Sequence, residues 1–376
     1  AAGVASGAAG GVSVTSTGAL TLQAHGAWDG GWTVDAGSAG LTLSALGGDL
    51  TLNGNVRSAD ASTATASGAI TQAADATWLS TGAVTWSAGG DISLANVRAA
   101  NAAQAWALAP ASAQSANVNL QTGGDLLLVA DAANAAIIAD ALTINAAGSV
   151  AAMTVAVAEA SITAGSGDIS LSDINLAGET AVGLTVGNIT TTGDVNVQAQ
   201  GNLTVNKVAT AENKAVTLES LWGDLNLVET TAGVFDVLPN HLLELSLFAA
   251  GFIGSGRMYT GTSSTKYRSG NELRVGSGFA AGSAIELGGT TAVDGDLLLG
   301  GRVIRVGGDT LPKGTQSTTL KAVEAIVLSS GIDTQGVTQQ VLNPKSITGM
   351  NWTMPTQNIL RGGESTIRWA ADALGG

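Results

Sequence analysis

Apolar and polar residues alternate along this chain in short runs, and most runs follow a glycine. The usual order is Gly-Asp, an apolar residue, a polar residue and a second apolar residue, as in Gly48-Asp49-Leu50-Thr51-Leu52 and Gly167-Asp168-Ile169-Ser170-Leu171. Such alternation points every second side chain to the same side of a β-strand. Each copy therefore predicts a turn followed by a short strand with one buried face.

The Gly-Asp pair recurs over most of the chain. We expect the glycine to supply the backbone freedom of a tight corner, and the aspartate to hydrogen-bond its own backbone there. One turn-and-strand unit repeated in this way is typical of a solenoid. The sequence therefore predicts an all-β, right-handed parallel β-helix (β-solenoid), an elongated rod with several short strands per coil and one corner of variable length. The repeat residues are Gly48, Asp49, Gly90, Asp91, Gly124, Asp125, Gly167, Asp168, Gly193, Asp194, Gly223, Asp224, Gly295 and Asp296.

The composition fits a thin core of stacked layers. Aromatic residues make up only 4% of the 376 residues and charged residues 12%, whereas there are 52 glycines. The absence of cysteine excludes disulfide scaffolds, cysteine-based zinc sites and thiol catalysis. The longest apolar stretches are too short for a membrane span.

Charge divides the chain unevenly. Residues 1–250 carry a net charge of −16 and the remainder carries +2, within a total of −14 that argues against nucleic acid as a partner. We predict acidic β-helix repeats over 1–250, further rungs over 251–334 after a loop-rich joint, and a C-terminal cap or subunit-contact arm over 335–376. The charge asymmetry reflects either ordinary drift or an end-to-end contact between subunits.

The repeats resemble those of filamentous haemagglutinin-like proteins, which are large bacterial surface proteins exported by two-partner secretion. Gly48-Asp49-Leu50-Thr51-Leu52-Asn53 and Gly167-Asp168-Ile169-Ser170-Leu171 carry the resemblance, which covers roughly residues 10–330. It implies an extracellular β-helix that acts in adhesion, as a matrix fibre or as a stalk. The family's Asn-Pro-containing secretion motif lies near the N-terminus, whereas the only Asn-Pro here is Asn343-Pro344.

Candidate catalytic and metal-binding chemistry is sparse. The corner aspartates are interpreted as turn formers, with a Ca²⁺ ladder along the corner as the alternative. A polysaccharide-active β-helix enzyme needs two carboxylates held a short distance apart, and the corner aspartates come one per turn. The two histidines, His25 and His241, are far apart in sequence and are interpreted as surface or joint residues. We therefore expect no catalytic residues, no cofactor and no enzyme activity.

Eight tryptophans are many for a chain with four phenylalanines. Exposed rings would stack on sugars or on a partner subunit, and buried ones would fill corners or cover the ends of the coil. Trp28, Trp32, Trp352 and Trp369 are the candidate contact residues.

These features together predict a non-catalytic extracellular structural protein at the bacterial cell surface. We expect a β-helical rod that assembles head to tail with copies of itself into a fibre, sheath or adhesive stalk. The alternatives are a monomeric adhesin that binds surface glycans and, less favoured, a polysaccharide-active enzyme.

Overall fold

The computed structural model describes the strands and their connections in detail over much of the chain. The described residues are 4–5, 11–24, 32–37, 39–99, 116–129, 135–175, 183–211, 214–227, 234–238, 244–249, 253–254, 256–258, 264–276, 285–287, 296–307, 317–328, 338–342 and 346–348. They contain β-strands and no helix, and they divide into two compact units, Ala1–Gly193 and Asp194–Gly376.

The first unit is built from short parallel strands that return to the same face after each turn of the chain. Its strands are Val4–Ala5 (β1), Val12–Ser16 (β2), Leu20–Leu22 (β3), Trp32–Asp35 (β4), Leu41–Ala45 (β5), Leu50–Leu52 (β6), Asn55–Ser58 (β7), Ser62–Ala66 (β8), Ile70–Gln72 (β9), Trp78–Ser80 (β10), Val84–Ala88 (β11), Ile92–Leu94 (β12), Val97–Ala99 (β13), Val118–Thr122 (β14), Leu126–Leu128 (β15), Ile137–Ala146 (β16), Met153–Ala164 (β17), Ile169–Asp173 (β18) and Leu184–Thr190 (β19).

Three columns of parallel strands form this unit, and each of the first five turns of the coil, or rungs, contributes a strand to all three. The long face stacks β2, β5, β8, β11, β14, β16, β17 and β19. The short face stacks β3, β6, β9, β12 and β15. The third face stacks β1, β4, β7, β10 and β13, followed by the first halves of β16 and β17 and then by β18. The structure thus confirms an all-β parallel β-solenoid.

Alternating side chains of each long-face strand point into a continuous apolar core. Leu43, Trp86 and Ile144 occupy the same inward column in different rungs, and each is fully buried. Strand β8 has only small inward residues, such as Ser62 and Ala64. These small residues lie in register with Val84 and Trp86 of the next rung, so a thin layer offsets a bulky one.

The outward side of the long face carries two columns of uncharged polar residues. Both columns run through all eight strands in parallel pairing, at the spacing of about 4.8 Å between neighbouring strands, and the register shifts once, between β17 and β19. No charged residue occupies either column. The columns are Ser13, Thr42, Thr63, Thr85, Asn119, Thr143, Ser161 and Asn188, and Thr15, Ser44, Thr65, Ser87, Gln121, Asn145, Thr163 and Thr190.

The third face departs from simple alternation, because some of its outward residues are also buried. Leu79 is 3% exposed and Ile138 is 2% exposed, although their neighbours along the strand point into the core. Ile138 packs with Ala135, Ala156 and Ile174 in a small apolar cluster of its own. This face therefore has apolar packing on both sides of its strands.

The second unit repeats the parallel stacking. Its strands are Val195–Ala199 (β20), Leu203–Val205 (β21), Lys207–Ala209 (β22), Ala215–Ser220 (β23), Leu225–Leu227 (β24), Val234–Leu238 (β25), Glu244–Ala249 (β26), Ile253–Gly254 (β27), Gly256–Met258 (β28), Ser264–Gly276 (β29), Ile285–Leu287 (β30), Asp296–Gly307 (β31), Ser317–Leu328 (β32), Thr338–Leu342 (β33) and Ser346–Thr348 (β34). One column runs through β20, β23, β26, β29, β31, β32 and β33 in parallel register.

Strands continue through both segments whose sequence pattern is weakest. In the predicted loop-rich joint, β26 pairs with β29 along five residues. In the predicted C-terminal arm, β33 and β34 both pair with β32. The predicted boundaries at residues 250 and 334 lie outside the described residues, and the three-part division stays a prediction.

Candidate functional site

The repeated Gly-Asp pair marks the turn that links the long face to the short face, which we call the glycine corner (residues 17–19, 46–49, 67–69, 89–91, 123–125 and 147–149). The carboxylate of Asp49 accepts a hydrogen bond of 2.8 Å from the backbone N–H of Ala69. Asp91 accepts an equivalent bond of 2.8 Å from the N–H of Asp125. The expectation that each aspartate bonds its own backbone is therefore wrong at these corners, because the acceptor reaches forward to the next rung.

Because the carboxylate extends to the next rung, it also explains why a glycine occupies the corner of that rung. A Cβ added to Gly68 would overlap the Asp49 carboxylate, and one added to Gly124 would overlap that of Asp91. Among the described corner copies, only Gly167 has the positive φ, 77°, that disfavours other residues. Glycine is thus needed at most of these corners for close approach between rungs rather than for a special backbone conformation.

Asp125 shows the electrostatic consequence of the same geometry. Its carboxylate accepts hydrogen bonds from both the backbone N–H of Ser149, at 2.6 Å, and the Ser149 hydroxyl, at 2.9 Å. The backbone bond, followed by the hydroxyl bond, lowers the pKa of Asp125 below its usual range, because both donors favour the charged form. The corner carboxylate is held ionised by the rung above it.

In the second unit, side-chain oxygens at two different turns also accept hydrogen bonds from backbone N–H groups of the next rung. Asp194, which precedes β20, accepts a hydrogen bond of 2.9 Å from the N–H of Ala215, which begins β23. Asn202, which precedes β21, accepts one of 2.8 Å from the N–H of Asp224, which precedes β24. An amide oxygen therefore replaces the carboxylate where only an acceptor is required.

The remaining Gly-Asp copies are less regular. Gly167-Asp168 precedes β18, whereas Gly193 ends the first unit and Asp194 begins the second. Gly223 approaches Asn202 so closely that a Cβ would overlap its side-chain oxygen. Gly295 lies outside the described residues, and Asp296 begins β31.

A buried glutamine adds a polar connection between rungs that the sequence pattern does not reveal. Gln72 takes the place of leucine in the short-face column and is 1% exposed. Its amide donates to the carbonyls of Ala76 and Asn96, and its oxygen accepts from the N–H groups of Ala95 and Asn96. This one polar side chain in an otherwise apolar column therefore provides hydrogen-bond partners for buried backbone groups of two turns.

Trp32, one of the candidate contact residues, is only 8% exposed. The Arg57 guanidinium lies over its ring, 5.3 Å from the centroid, and forms an ion pair with Asp35. Burial raises the pKa of Asp35, but its bonds with Arg57 and with the N–H of Gly37, together with the charge of Arg57, leave it below the usual range. The surroundings of Trp32 favour a packing role.

The other described tryptophans fall into two kinds. Trp78 and Trp86 are fully buried and meet edge to face, with centroids 5.2 Å apart. Trp222, which the sequence pattern does not single out, is 70% exposed at the turn between β23 and β24. Trp28, Trp352 and Trp369 lie outside the described residues, so their contact role stays a prediction.

Two further observations on the described residues concern metal ions and membrane-spanning helices. Within the described ranges, no three His, Cys, Asp or Glu side chains come together as metal ligands. A Ca²⁺ ladder stays a prediction, as does the interpretation of His25 and His241, which are not among the described residues. No helix in the described part of the chain is long and apolar enough to cross a membrane.

Comparison with protein-family models, curated proteins and solved structures found no match to this chain. The fold and the corner hydrogen bonds therefore define it as a β-solenoid repeat protein. The likeness to filamentous haemagglutinin rests on the sequence repeats alone.

Proposed function

We propose that this chain is a non-catalytic extracellular structural protein of the filamentous haemagglutinin type, and that its solenoid builds a self-assembling surface fibre, sheath or stalk. The observation that carries the proposal is the coupling of successive rungs at the glycine corner. Side chains of Asp49, Asp91 and Asp125 each bond the backbone of the next rung. Such bonds add to the strand pairing and resist separation of the rungs along the coil.

The role of the corner carboxylates also favours a structural protein over a polysaccharide-active enzyme. A carboxylate that acts as a general acid or nucleophile has to be available to its substrate. The described corner aspartates instead use their oxygens as acceptors for backbone N–H groups. This use is a sufficient reason for their recurrence in the sequence.

The charge distribution of the chain favours end-to-end association of its copies and gives that association a direction. The acidic residues 1–250 and the more basic remainder attract one another when one copy meets the next head to tail. We therefore assign the acidic repeats and the 335–376 segment to opposite sides of the subunit contact. The proposed location is the outside of a bacterial cell.

Negative-stain electron microscopy and sedimentation of the purified chain test the assembly. We expect filaments that shorten as salt is raised, because screening weakens attraction between exposed charges. Deletion of 335–376 should leave soluble monomers. Because this deletion also removes β33 and β34, a second variant reverses charge only, with Lys345→Glu, Arg361→Glu and Arg368→Glu.

The charge-reversed variant should also lose filaments, whereas Glu364→Gln with Asp372→Asn in the same segment should keep them. Unchanged filaments after both the deletion and the charge reversal would refute the head-to-tail contact. Compact particles that never associate at any salt concentration would refute the fibre itself.

A monomeric adhesin that binds surface glycans is the second candidate function. The exposed indole of Trp222 favours it, because aromatic rings stack on the apolar faces of sugars. A chain that binds glycans while it sediments as a monomer would favour this candidate over the fibre.

A further inference from the structure

Trp222 is the most exposed of the large apolar side chains in the described residues, at 70%. A tryptophan presents roughly 150–250 Å² for burial. Most of the apolar area of this ring is therefore not buried by the fold, and its burial against a ligand would be favourable. The ring is therefore available to a ligand at a position where the fold makes no use of it.

The turn that carries the ring is fixed by hydrogen bonds on both sides of Trp222. The N–H of Trp222 donates to the Gln200 carbonyl at 3.2 Å. The Ser220 hydroxyl donates to the Gly201 carbonyl at 2.8 Å and accepts from the N–H of Gly223 at 3.1 Å. A ligand that stacks on this indole does not have to order the backbone beneath it, which reduces the entropic cost of binding.

The surroundings of this turn are polar and partly acidic. Asn202 is exposed beneath the turn and accepts from the N–H of Asp224 at 2.8 Å. On the adjoining strands, the Gln198 amide donates to the Glu219 carboxylate at 2.9 Å. Amides and carboxylates bond sugar hydroxyls well, whereas Asp224 and Glu219 repel an anionic glycan.

We propose that Trp222 is the stacking platform of a binding site for neutral, pyranose-containing glycans, with Asn202 and the Gln198–Glu219 pair as flanking hydrogen-bond partners. The inference rests on the adhesin, the second candidate function above, and it names the residue and the ligand class. It does not depend on the assembly of fibres.

The test measures binding of the full chain to neutral hexasaccharides of the cello, manno and chito series by isothermal titration calorimetry. A hyaluronan hexasaccharide serves as the anionic comparison. We expect wild-type protein to bind at least one neutral series, and Trp222→Ala to raise its Kd about thirtyfold or more, the size of a binding hot spot. Trp222→Phe, which keeps an aromatic ring, should lie between them.

Leu46→Ala is the matched control, because Leu46 is 60% exposed at a glycine corner of the first unit and should not affect binding. Circular dichroism and the thermal midpoint verify that each variant folds, and Trp222→Gln replaces the alanine variant if that variant unfolds.

Three results would overturn the inference: equal affinity of wild type and the Trp222 variants, preference for hyaluronan, or a loss of binding in Leu46→Ala as large as in Trp222→Ala. Glycan binding that survives the loss of Trp222 would refute this site and leave the adhesin standing. No binding to any neutral series would refute both, and neither result bears on filaments seen by microscopy.

Discussion

The Asp91 carboxylate accepts a hydrogen bond from the backbone N–H of Asp125, which lies 34 residues further along the chain. Because the same relationship joins Asp49 to Ala69 and Asp125 to Ser149, each rung is fastened to the next by an acceptor that points forward. The corner therefore couples two residue types in different rungs: an aspartate in one and a glycine in the next.

This coupling predicts the cost of replacing a corner glycine. Gly124→Ala should lower the free energy of unfolding by about 1–3 kcal/mol, because the new Cβ displaces the Asp91 carboxylate from the N–H that it bonds. Gly18→Ala should cost nothing, since no atom lies within 4 Å of a Cβ at that position. Urea denaturation monitored by circular dichroism measures both.

A double-mutant cycle with Asp91→Ala isolates the coupling. In that background Gly124→Ala should cost less, with a coupling of about 0.5–3 kcal/mol, since the two side groups compete for the same space. Additive costs in the cycle would contradict the forward-reaching acceptor as the reason for the glycine.

The ion pair between Asp35 and Arg57 predicts a specific acid sensitivity. The pKa of Asp35 is lowered in the folded protein, so the unfolded chain binds its proton more readily and stability rises with pH. The contribution is complete above the unfolded pKa, near 3.9, and is lost as the pH falls through the lower folded pKa. Asp35→Asn should therefore cost about 0.5–1 kcal/mol at pH 6 and progressively less below about pH 4.

Urea denaturation of wild type and Asp35→Asn between pH 6 and pH 2 measures this difference. In an Arg57→Gln background the same replacement should have a smaller effect, because the bond and the charge of Arg57 are gone and only the Gly37 N–H still lowers the pKa of Asp35. A difference between wild type and Asp35→Asn that grows toward low pH would show that the sign of the shift is wrong.

The two buried tryptophans predict unequal costs for the same substitution. The indole N–H of Trp78 donates to the Ser62 hydroxyl at 2.9 Å, whereas that of Trp86 is buried with no hydrogen-bond partner. Both Trp→Phe changes leave a cavity, but only Trp78→Phe also leaves a buried hydroxyl without its donor. It should therefore cost about 1–3 kcal/mol more than Trp86→Phe.

Thermal and urea unfolding of the two variants test this order. Addition of Ser62→Ala should reduce the cost of Trp78→Phe and leave that of Trp86→Phe unchanged. Equal costs for the two variants, with or without Ser62, would rule out the hydrogen bond as the source of the difference.

Sequence alone predicted the fold because its strongest signal is a short-range alternation. Leu50 and Leu52 share a face by their spacing, and their burial follows once rungs stack. The same pattern misassigned the bonding of Asp49, since a residue's partner in the next rung lies about twenty positions away and nothing local identifies it. Trp32 begins β4 and lies under Arg57 of the next rung, whereas Trp222 lies in the turn between β23 and β24. The contact with Arg57 comes from a distant part of the sequence, so the local pattern did not predict the burial of Trp32.

The sequence pattern also failed to predict the burial of outward-facing residues on the third face, for a related reason. Ile138 stands between two inward residues, and a regular alternation assigns it to solvent. Its packing against Ala135 and Ile174 depends on chain segments outside its own strand. Gln72 was missed because its four hydrogen bonds involve turns at Ala76 and at Ala95–Asn96, which no periodic pattern connects.

The corner bonds span 20 residues at Asp49 and 34 at Asp91, yet long-face pairing keeps its register across both rungs. The additional residues of the larger rung come between β13, which ends at Ala99, and β14, which begins at Val118. The coil therefore accommodates a longer connection between these two strands while β11 and β14 stay paired in register. Such a connection is a natural insertion point, where new peptide segments can be gained or exchanged while the scaffold stays the same.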